Sequence, residues 1–391
     1  MKDQIKYLTC GNVEILPHGI VALEAKLKKN RPLRVKLGID PTSPDLHLGH
    51  TVCLQILKRF QDLGHIPILI IGGFTAQLGD PTGRNEARPP LSEEDVKKNS
   101  ETYLEQVAKI LDINKIEIVN NNAWLRDMKL AEILKLMSLN TVNQIIAKEA
   151  FGERLDKGFP LYMHEILYPI LQAYDSVQVK ADIEIGGQDQ RFNVLAGREM
   201  QKHFGQEEQI VMLAPLLIGL DGKKKMSKSF GNYIGVFEAA NEMYGKTMSL
   251  ADEQMLSWYC QLLNILPENL KENQNPRDLK MQLAREIIKI YHSEEKALEA
   301  EQDFIKRFQK REIPEDIKEF SDFNEEHTLA QIMHLSGMCE SIGEAKRKIK
   351  EGAVKLNNEK LLEEFKSINL KTGDILQLGK RKFIKIKKIE N

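Results

Sequence analysis

The chain has 391 residues, of which 42% are hydrophobic and 29% charged, and its formal net charge is -1. This length predicts two to three domains, and the charge balance excludes a uniformly basic nucleic-acid-binding coat. The average conceals an asymmetry, because residues 341–391 contain 14 basic and 7 acidic side chains. A basic C-terminal segment following an acidic body indicates an anionic partner for that segment.

Other protein classes are excluded by simple patterns. No apolar run approaches the ~20 residues that a membrane helix needs, so we expect no contact with a membrane. The first residues lack the basic-then-apolar order of a secretory signal. Cys10, Cys53, Cys260 and Cys339 form no Cys-x-x-Cys pair, which predicts neither a zinc site nor a disulfide framework. We therefore expect a cytoplasmic protein without a tightly bound metal.

The first predicted unit is a strand, a helix and a second strand within residues 35–73. Residues 35–39 are an apolar strand, apolar side chains over 52–63 recur at the helical period, and 66–71 read as a strand buried on both faces. This order is typical of parallel strands joined by a crossover helix.

A second half of the same kind begins at residue 183. A strand over 183–187 leads into a helix starting near Asp189, and an apolar strand follows over 209–218. Together the halves predict an α/β fold with a Rossmann-like, doubly wound parallel sheet, in which ligands bind beyond the carboxyl ends of the strands.

Composition changes divide the remaining chain. We predict a Rossmann-like domain over 1–232 that contains a helical insertion at about 92–158, an α-helical domain over 233–320, and a small α+β domain over 328–391.

The turn after the first strand contains the first chemical motif, His47-Leu48-Gly49-His50. It places two imidazoles at the start of a helix, where backbone N–H groups favour anions. Two histidine donors separated by a glycine suit a nucleotide whose phosphate charge changes during a reaction.

A lysine-rich loop follows the last strand of the predicted sheet, within residues 221–229. Lys225 and Lys228 there are point charges that can follow a leaving pyrophosphate, and Met226 and Ser227 lie between them. A lysine run alone is most often a solvated surface. Its position after a strand of the same sheet favours a triphosphate site.

These two motifs resemble the paired HIGH and KMSKS motifs of class I aminoacyl-tRNA synthetases, in the same order and about 175 residues apart. The resemblance implies ATP as a substrate, accompanied by Mg²⁺, and His47, His50, Lys225 and Lys228 as catalytic groups. The ATP-binding residues that it implies are Asp40, His47, Gly49, His50, Gly187, Asp189, Lys225, Met226, Ser227 and Lys228.

A central helix indicates the amino acid. The spacing of Tyr168, Gln172 and Asp175 places them on one helix face. The stretch resembles the amino-acid-binding helix of tyrosyl-tRNA synthetases, in which the first two positions hold the ammonium group and the Asp accepts from the phenol. The resemblance adds Asp80 at the ammonium and Gln190 to the tyrosine-binding residues.

One position departs from this resemblance. Many bacterial members have a tyrosine in the first strand that touches the substrate phenol, whereas this chain has Lys36. Tryptophanyl-tRNA synthetase is the alternative within the class, but Tyr174-Asp175 and the basic C-terminal segment favour the tyrosine-specific group.

The C-terminal segment resembles the S4 RNA-binding domain, with a basic amphipathic helix followed by short strands. The side chains predicted to contact phosphates are Lys346, Arg347, Lys350, Lys380 and Lys382.

The resemblance implies a two-step ligase: L-tyrosine is activated by ATP to tyrosyl-AMP and then transferred to the 3′ end of tRNA(Tyr). It also implies a homodimer whose interface comes from the insertion. Two alternatives stay open at this point. An RNA-binding protein without catalysis explains the C-terminal segment, and another nucleotidyl transferase of the same fold explains His47 and His50.

Overall fold

The structure is a computed structural model, and it describes residues 1–81, 91–146, 149–270, 275–306, 317–323, 327–357, 359–361, 370–379 and 382–387. The chain forms two compact units, Met1–Glu301 and Gln302–Asn391. None of the described helices is long and apolar enough to cross a bilayer.

The first unit is built on a six-stranded sheet. Its strands are β1 Glu14–Leu16, β2 Arg34–Ile39, β3 Ile66–Ile71, β4 Glu117–Asn120, β5 Ile183–Gly187 and β6 Ile210–Ala214. The strand order is β1-β6-β5-β2-β3-β4, and all neighbours are parallel except β1 and β6. The predicted α/β fold with a parallel sheet is confirmed.

Helices surround this sheet and continue beyond it. They are α1 Lys2–Leu8, α2 Ile20–Leu27, α3 Leu48–Asp62, α4 Thr75–Leu78, α5 Glu93–Val107, α6 Asn122–Leu125, α7 Leu130–Met137, α8 Val142–Ile146, α9 Glu149–Asp156, α10 Met163–Val179, α11 Arg191–His203, α12 Ala240–Met248, α13 Met255–Leu263, α14 Pro276–Tyr291 and α15 Glu294–Phe304. Single 3₁₀ turns occur at Ile113–Lys115, Gln188–Gln190, Lys228–Phe230, Asp252–Gln254 and Pro267–Asn269.

The insertion differs from its prediction as a helical segment. Within it, β4 pairs in parallel with β3 and forms an edge of the sheet. Its four residues alternate between half-buried and exposed positions, and so short a run is below the length at which a period can be recognised. The carboxyl end of β4 therefore lies at the end of the sheet where ligands are expected.

The strand order reverses between β2 and β5. From β2 the chain proceeds through β3 to β4 on one side, and from β5 to β6 on the other. In doubly wound sheets the crevice at this reversal, beyond the carboxyl ends of the strands, is where ligands bind. The turn that contains His47, Gly49 and His50 follows β2, and Gly187 ends β5.

The helical segment after the sheet packs around buried aromatic side chains. Trp258, Tyr244, Tyr259 and Tyr291 are each at most 1% exposed, and α12 packs on α14. Glu319–Phe320, at the predicted end of this segment, forms β7, which pairs with a strand of the second unit. A strand of two residues is too short to be predicted from the sequence.

The second unit is a small α+β fold. Its elements are β7 Glu319–Phe320, α16 Leu329–Leu335, α17 Ile342–Lys350, β8 Val354–Leu356, β9 Glu359–Leu361, β10 Ile375–Leu378 and β11 Lys382–Ile386. The strand order is β7-β11-β10-β8-β9. Helix α17 buries Ala345 and Ile349 in the core of this unit, which leaves its basic side chains outside.

Candidate active site

One cavity of about 930 Å³ lies at the strand-order reversal of the first unit. All fifteen residues that the sequence assigned to ATP or tyrosine line it. They are Asp40, His47, Gly49, His50, Asp80, Tyr168, Gln172, Asp175, Gly187, Asp189, Gln190, Lys225, Met226, Ser227 and Lys228.

The two histidines of the first motif are tied to the start of α3. The His47 Nδ1 atom accepts from the Gly49 backbone N–H at 3.1 Å, and His50 Nδ1 accepts from the His47 N–H at 3.2 Å. Their ring centroids are 3.8 Å apart. A Cβ atom on Gly49 would lie 2.9 Å from the His47 ring, so glycine is required there for packing within the motif itself.

Both imidazoles are neutral at physiological pH. Burial, followed by the influence of His50 and Lys228, lowers the pKa of His47 to about 2. The His50 ring is accessible from the cavity, yet desolvation by the surrounding walls and the charge of Lys228 lower its pKa to about 4. Because each Nδ1 accepts a hydrogen bond, the remaining proton of each ring is assigned to Nε2. Both histidines can therefore donate to an anion without being charged.

The lysine loop lies against the same wall of the cavity. Lys225 Nζ is 2.9 Å from Asp189 Oδ2, and Lys228 Nζ donates to Ser43 Oγ at 3.2 Å. Lys225 and Asp189 are 43% and 32% exposed. Exposed pairs of this kind contribute only about 0–1 kcal/mol, so a phosphate can replace Asp189 as the partner of Lys225 at little cost.

Backbone pairing connects the two motifs. His47 bridges Gly235 in antiparallel fashion, and the Leu48 N–H donates to the Ile234 carbonyl at 3.0 Å. The lysine loop itself is closed by the buried Asn232, whose amide donates to the Lys225 carbonyl at 3.2 Å and accepts from the Ser227 N–H at 2.8 Å. Asn232 was not predicted, because nothing in its local sequence distinguishes it from other loop asparagines.

A second part of the cavity presents acceptors for a cation. The Tyr168 hydroxyl donates to Asp40 Oδ2 at 2.8 Å, while burial and then Asp40 raise the pKa of this phenol well above its usual value. Its oxygen is left as an acceptor. Among the described residues, the buried Gln172 Oε1 has no hydrogen-bond partner. Asp80, which accepts from Gln190 Nε2 at 2.7 Å, lies in the same wall.

Several neighbours hold the Asp40 carboxylate in place. Its Oδ1 accepts from Thr75 Oγ at 2.8 Å, and a Cβ atom on Gly72 would lie 1.9 Å from the same oxygen. Only glycine at position 72 lets this carboxylate approach the backbone so closely. Thr75 in turn accepts from Asn121 Nδ2 at 3.1 Å, which links this wall to the next.

At the far wall, Asp175 is 3% exposed. Its Oδ1 accepts from Trp124 Nε1 at 2.8 Å and its Oδ2 from Asn121 Nδ2 at 3.4 Å. Burial raises the pKa of Asp175 to about 6, against the opposing influence of Lys36 and of these two hydrogen bonds. The carboxylate keeps free lone pairs for another donor in the cavity.

Asn121 and Trp124 were missed because they follow β4, the strand that the sequence analysis did not recognise. Once β4 is placed beside β3, its carboxyl end lies on the same edge as the other site turns. A sequence prediction that included this short strand would have placed both residues at the site.

The predicted RNA-contacting residues belong to the second unit. Lys346, Arg347 and Lys350 are exposed on α17. Lys382 donates to the Met338 carbonyl at 2.7 Å, so its ammonium is partly engaged within the domain. Lys380 lies outside the described residues.

The described residues contain no group of three or more His, Cys, Asp or Glu side chains that could hold a metal ion.

Comparisons with known proteins agree with this geometry. The family described as tRNA synthetases class I (W and Y) matches residues 28–309. The tyrosine–tRNA ligase of Moorella thermoacetica is 45% identical over 98% of this chain and 95% of its own. That of Haemophilus ducreyi is 49% identical over 93% of each chain.

Solved structures show the same fold. A C-terminally truncated mitochondrial tyrosyl-tRNA synthetase of Aspergillus nidulans has a TM-score of 0.65 at 19% identity, over 78% of this chain and 93% of its own. The tyrosyl-tRNA synthetase of Archaeoglobus fulgidus complexed with L-tyrosine has a TM-score of 0.62 at 22% identity, over 77% and 99%. The chain belongs to the class I tRNA synthetases of the tryptophan and tyrosine group.

The protonation of the two site histidines can be measured directly. We expect His47 and His50 to stay neutral, in the Nε2–H form, from pH 5.5 to pH 8, because both pKa values lie below this range. Long-range ¹H–¹⁵N NMR of the ligand-free protein distinguishes the tautomers, with His47→Gln and His50→Gln used for assignment. A titration of either ring within that range contradicts the assignment.

Proposed function

We propose that this chain is a tyrosine–tRNA ligase, which activates L-tyrosine with ATP and transfers it to the 3′ end of tRNA(Tyr). The observation that carries the proposal is a single cavity with phosphate-binding groups at one wall and a buried phenol acceptor, Asp175, at another. The near-full-length similarity to tyrosine–tRNA ligases supports it.

Tyrosine binding uses the two polar walls described above. The substrate ammonium donates to the Tyr168 hydroxyl oxygen, to Gln172 Oε1 and to the Asp80 carboxylate, which provides three acceptors for three protons. Gln190 keeps Asp80 oriented through their 2.7 Å hydrogen bond. The phenol donates to Asp175, which places the substrate carboxylate toward the phosphate-binding wall.

Selection of tyrosine follows from burial of Asp175. Tyrosine supplies a donor to this carboxylate, whereas phenylalanine leaves it unpaired, at a cost of about 1–3 kcal/mol for a buried polar group and more for a charged one. Tryptophan has a larger ring and its donor N–H at a different distance from the α-carbon. Trp124 and Asn121 hold the carboxylate in place and prevent it from turning away from the substrate.

ATP occupies the wall formed by the two motifs. The Nε2–H groups of His47 and His50 donate to the phosphates, and Lys225 and Lys228 exchange their protein partners for the β- and γ-phosphates. Gly187 and Asp189 lie beside the adenosine, and Mg²⁺ enters with ATP as part of the substrate. Asp40, Gly49, Met226 and Ser227 shape this wall, with the buried Met226 anchoring the lysine loop.

The reaction is an in-line displacement. The tyrosine carboxylate forms a bond to the α-phosphorus as the bond to pyrophosphate breaks. A terminal ribose hydroxyl of the tRNA later attacks the carbonyl carbon of this mixed anhydride, which forms the tyrosyl ester on the tRNA and releases AMP. No protein group becomes covalently attached. Catalysis is supplied by positioning and by donors aimed at the developing charge.

The proposal also includes RNA binding by the second unit, a homodimer and a cytoplasmic location. We assign residues 1–232 to catalysis and 328–391 to RNA binding, with the helical segment between them on the anticodon side. Exposed apolar side chains in and just after the insertion support a homodimer. Within it they are Leu130, Leu134, Val142 and Leu155, and just after it Phe159, Tyr162 and Met163. Four free cysteine thiols fit the cytoplasm.

The decisive assay is ATP–pyrophosphate exchange without tRNA, run with L-tyrosine, L-tryptophan and L-phenylalanine at equal concentration. We expect exchange with tyrosine alone, because only its phenol reaches Asp175 as a donor. Exchange with tryptophan instead assigns the chain to the alternative specificity of its family. Exchange with none of them, with or without added tRNA, overturns the proposal.

The role of His50 is tested by His50→Ala. We expect tyrosyl-AMP formation to slow by about 100-fold, which is the usual loss for one preorganised donor to a developing oxyanion, with tyrosine affinity unchanged. Single-turnover kinetics and equilibrium titration measure the two quantities. His203→Ala, which removes an exposed histidine at the end of α11, is the control. Equal rates for the His50 variant and the unaltered protein contradict the assignment.

RNA binding by the second unit is tested with Arg347→Gln combined with Lys350→Gln. Loss of two phosphate contacts should weaken binding of a tRNA(Tyr) transcript and reduce the slope of log K against log salt by about one per contact. Tyrosine-dependent exchange without tRNA should be unchanged. Lys202→Gln, at an exposed lysine of the first unit, is the control, and an unaltered salt slope in the double variant argues against these contacts.

A further inference from the structure

Lys36 is a completely buried cation beneath the cavity. Its side chain is 0% exposed, and it pairs at 2.8 Å with Glu184, which is 1% exposed. The two residues are register partners on β2 and β5, the strands between which the strand order reverses. The remaining protons of the ammonium reach Ser176 Oγ at 2.8 Å and the Gln172 carbonyl at 3.2 Å.

Stability does not explain this arrangement. Burying a lysine and a glutamate costs several kcal/mol per ion, and a well-packed apolar pair of the same volume is often as stable or more so. Glu184 is satisfied from several sides, because its Oε2 also accepts from Ser176 Oγ at 2.9 Å and from Gln209 Nε2. A buried network in which Glu184 has this many donors defines positions more than it adds stability.

The network ends on residues that face the substrate. Lys36 donates to the backbone carbonyl of Gln172, a residue that lines the cavity and whose buried Oε1 has no hydrogen-bond partner among the described residues. Ser176, its second partner, directly follows Asp175 on α10. The positive charge of Lys36 therefore lies close to two of the three residues that α10 offers to the amino acid, Gln172 and Asp175.

We propose that Lys36 is a positioning and specificity residue, whose buried ammonium keeps Asp175 a carboxylate and orients the Gln172 face of α10 for tyrosine. This inference rests on the proposed tyrosine–tRNA ligase function and names a residue on which its specificity depends. Lys36 does not line the cavity, so it acts through Asp175 and Gln172 and not by touching the substrate.

The charged and polar groups around Asp175 determine whether its pKa rises or falls when Lys36 is lost. Lys36 on β2 favours the carboxylate, Glu184 on β5 opposes it, and Trp124 and Asn121, near the end of β4, donate neutral hydrogen bonds. On the ammonium side, Tyr168 faces the same cavity wall and is paired with Asp40. Lys36 has the largest influence among the charged neighbours, so its loss raises the pKa of Asp175 above about 6.

The test replaces both members of the ion pair, Lys36→Met with Glu184→Gln, so that no charge is left buried without a partner. An opposite charge at close range shifts a carboxyl pKa by about one to three units, and because Lys36 influences Asp175 more than the opposing Glu184 does, removing both is expected to leave a net rise of about one unit. A rise of about one unit lowers the ionised fraction of Asp175 from about one half to about one tenth at pH 6. The KM for tyrosine should then rise about fivefold at pH 6, about twofold at pH 7 and hardly at pH 8.5, while the KM for ATP stays constant.

Two controls separate this role from a structural one. Lys26→Met removes another buried lysine, which pairs with Glu207 at 3.0 Å and contacts Asp182 ahead of β5, and it should leave the pH dependence of the tyrosine KM unchanged. Lys36→Arg retains the charge and should keep the pH dependence of the unaltered protein. Circular dichroism and thermal unfolding verify the fold of each variant.

The outcomes are distinguishable. An unaltered protein that does not use tyrosine refutes the proposed function itself. An active unaltered protein, together with a paired variant whose tyrosine KM has the same pH dependence, refutes only the role of Lys36. If the paired variant does not fold, Lys36→Met and Lys36→Arg are compared at pH 6 and pH 8.5: equal ratios of tyrosine KM overturn the inference, and a higher ratio in Lys36→Met supports it.

Discussion

The active-site cavity depends on one short backbone pairing, between the start of α3 and the chain that leaves the lysine loop. His47 bridges Gly235, the Leu48 N–H bonds to Ile234, and the Val236 N–H bonds to the Leu46 carbonyl at 3.0 Å. Each such bond contributes only about 1 kcal/mol, but both partners are attached to a sheet that is already packed. This pairing brings histidines and lysines about 175 residues apart in sequence to one wall.

The cavity separates charge along its length. One wall has neutral imidazole donors and part-exposed lysines, which suits a polyanion. The other wall has carboxylate and amide acceptors, of which Asp40 and Asp175 are held by hydrogen bonds from neighbouring side chains. Because Asp40 connects to Thr75, Asn121 and Asp175 through hydrogen bonds, the two acceptor sites for the amino acid are parts of one rigid structure. In the proposed function, this arrangement orients the amino acid with its carboxylate toward the phosphates.

Two lysine–carboxylate pairs behave differently because one is part-exposed and the other is buried. Lys225 and Asp189 are part-exposed, so their pair is weak and can open when phosphate arrives. Lys36 and Glu184 are fully buried, where opening would leave two unsolvated charges, so that pair stays closed and influences its neighbours through position and field. The first pair is suited to a moving product and the second to a fixed specificity pocket.

The sequence by itself determined the parallel α/β sheet, the two motifs and the helix face with Tyr168, Gln172 and Asp175, because each of these is a local pattern of period or spacing. It did not reveal β4, and with it the positions of Asn121 and Trp124, since four residues are too few for a periodic signal. Only the tertiary structure decided the partners of Lys36 and Asn232. Those contacts join residues that are distant in sequence, and their energies depend on burial that no local pattern records.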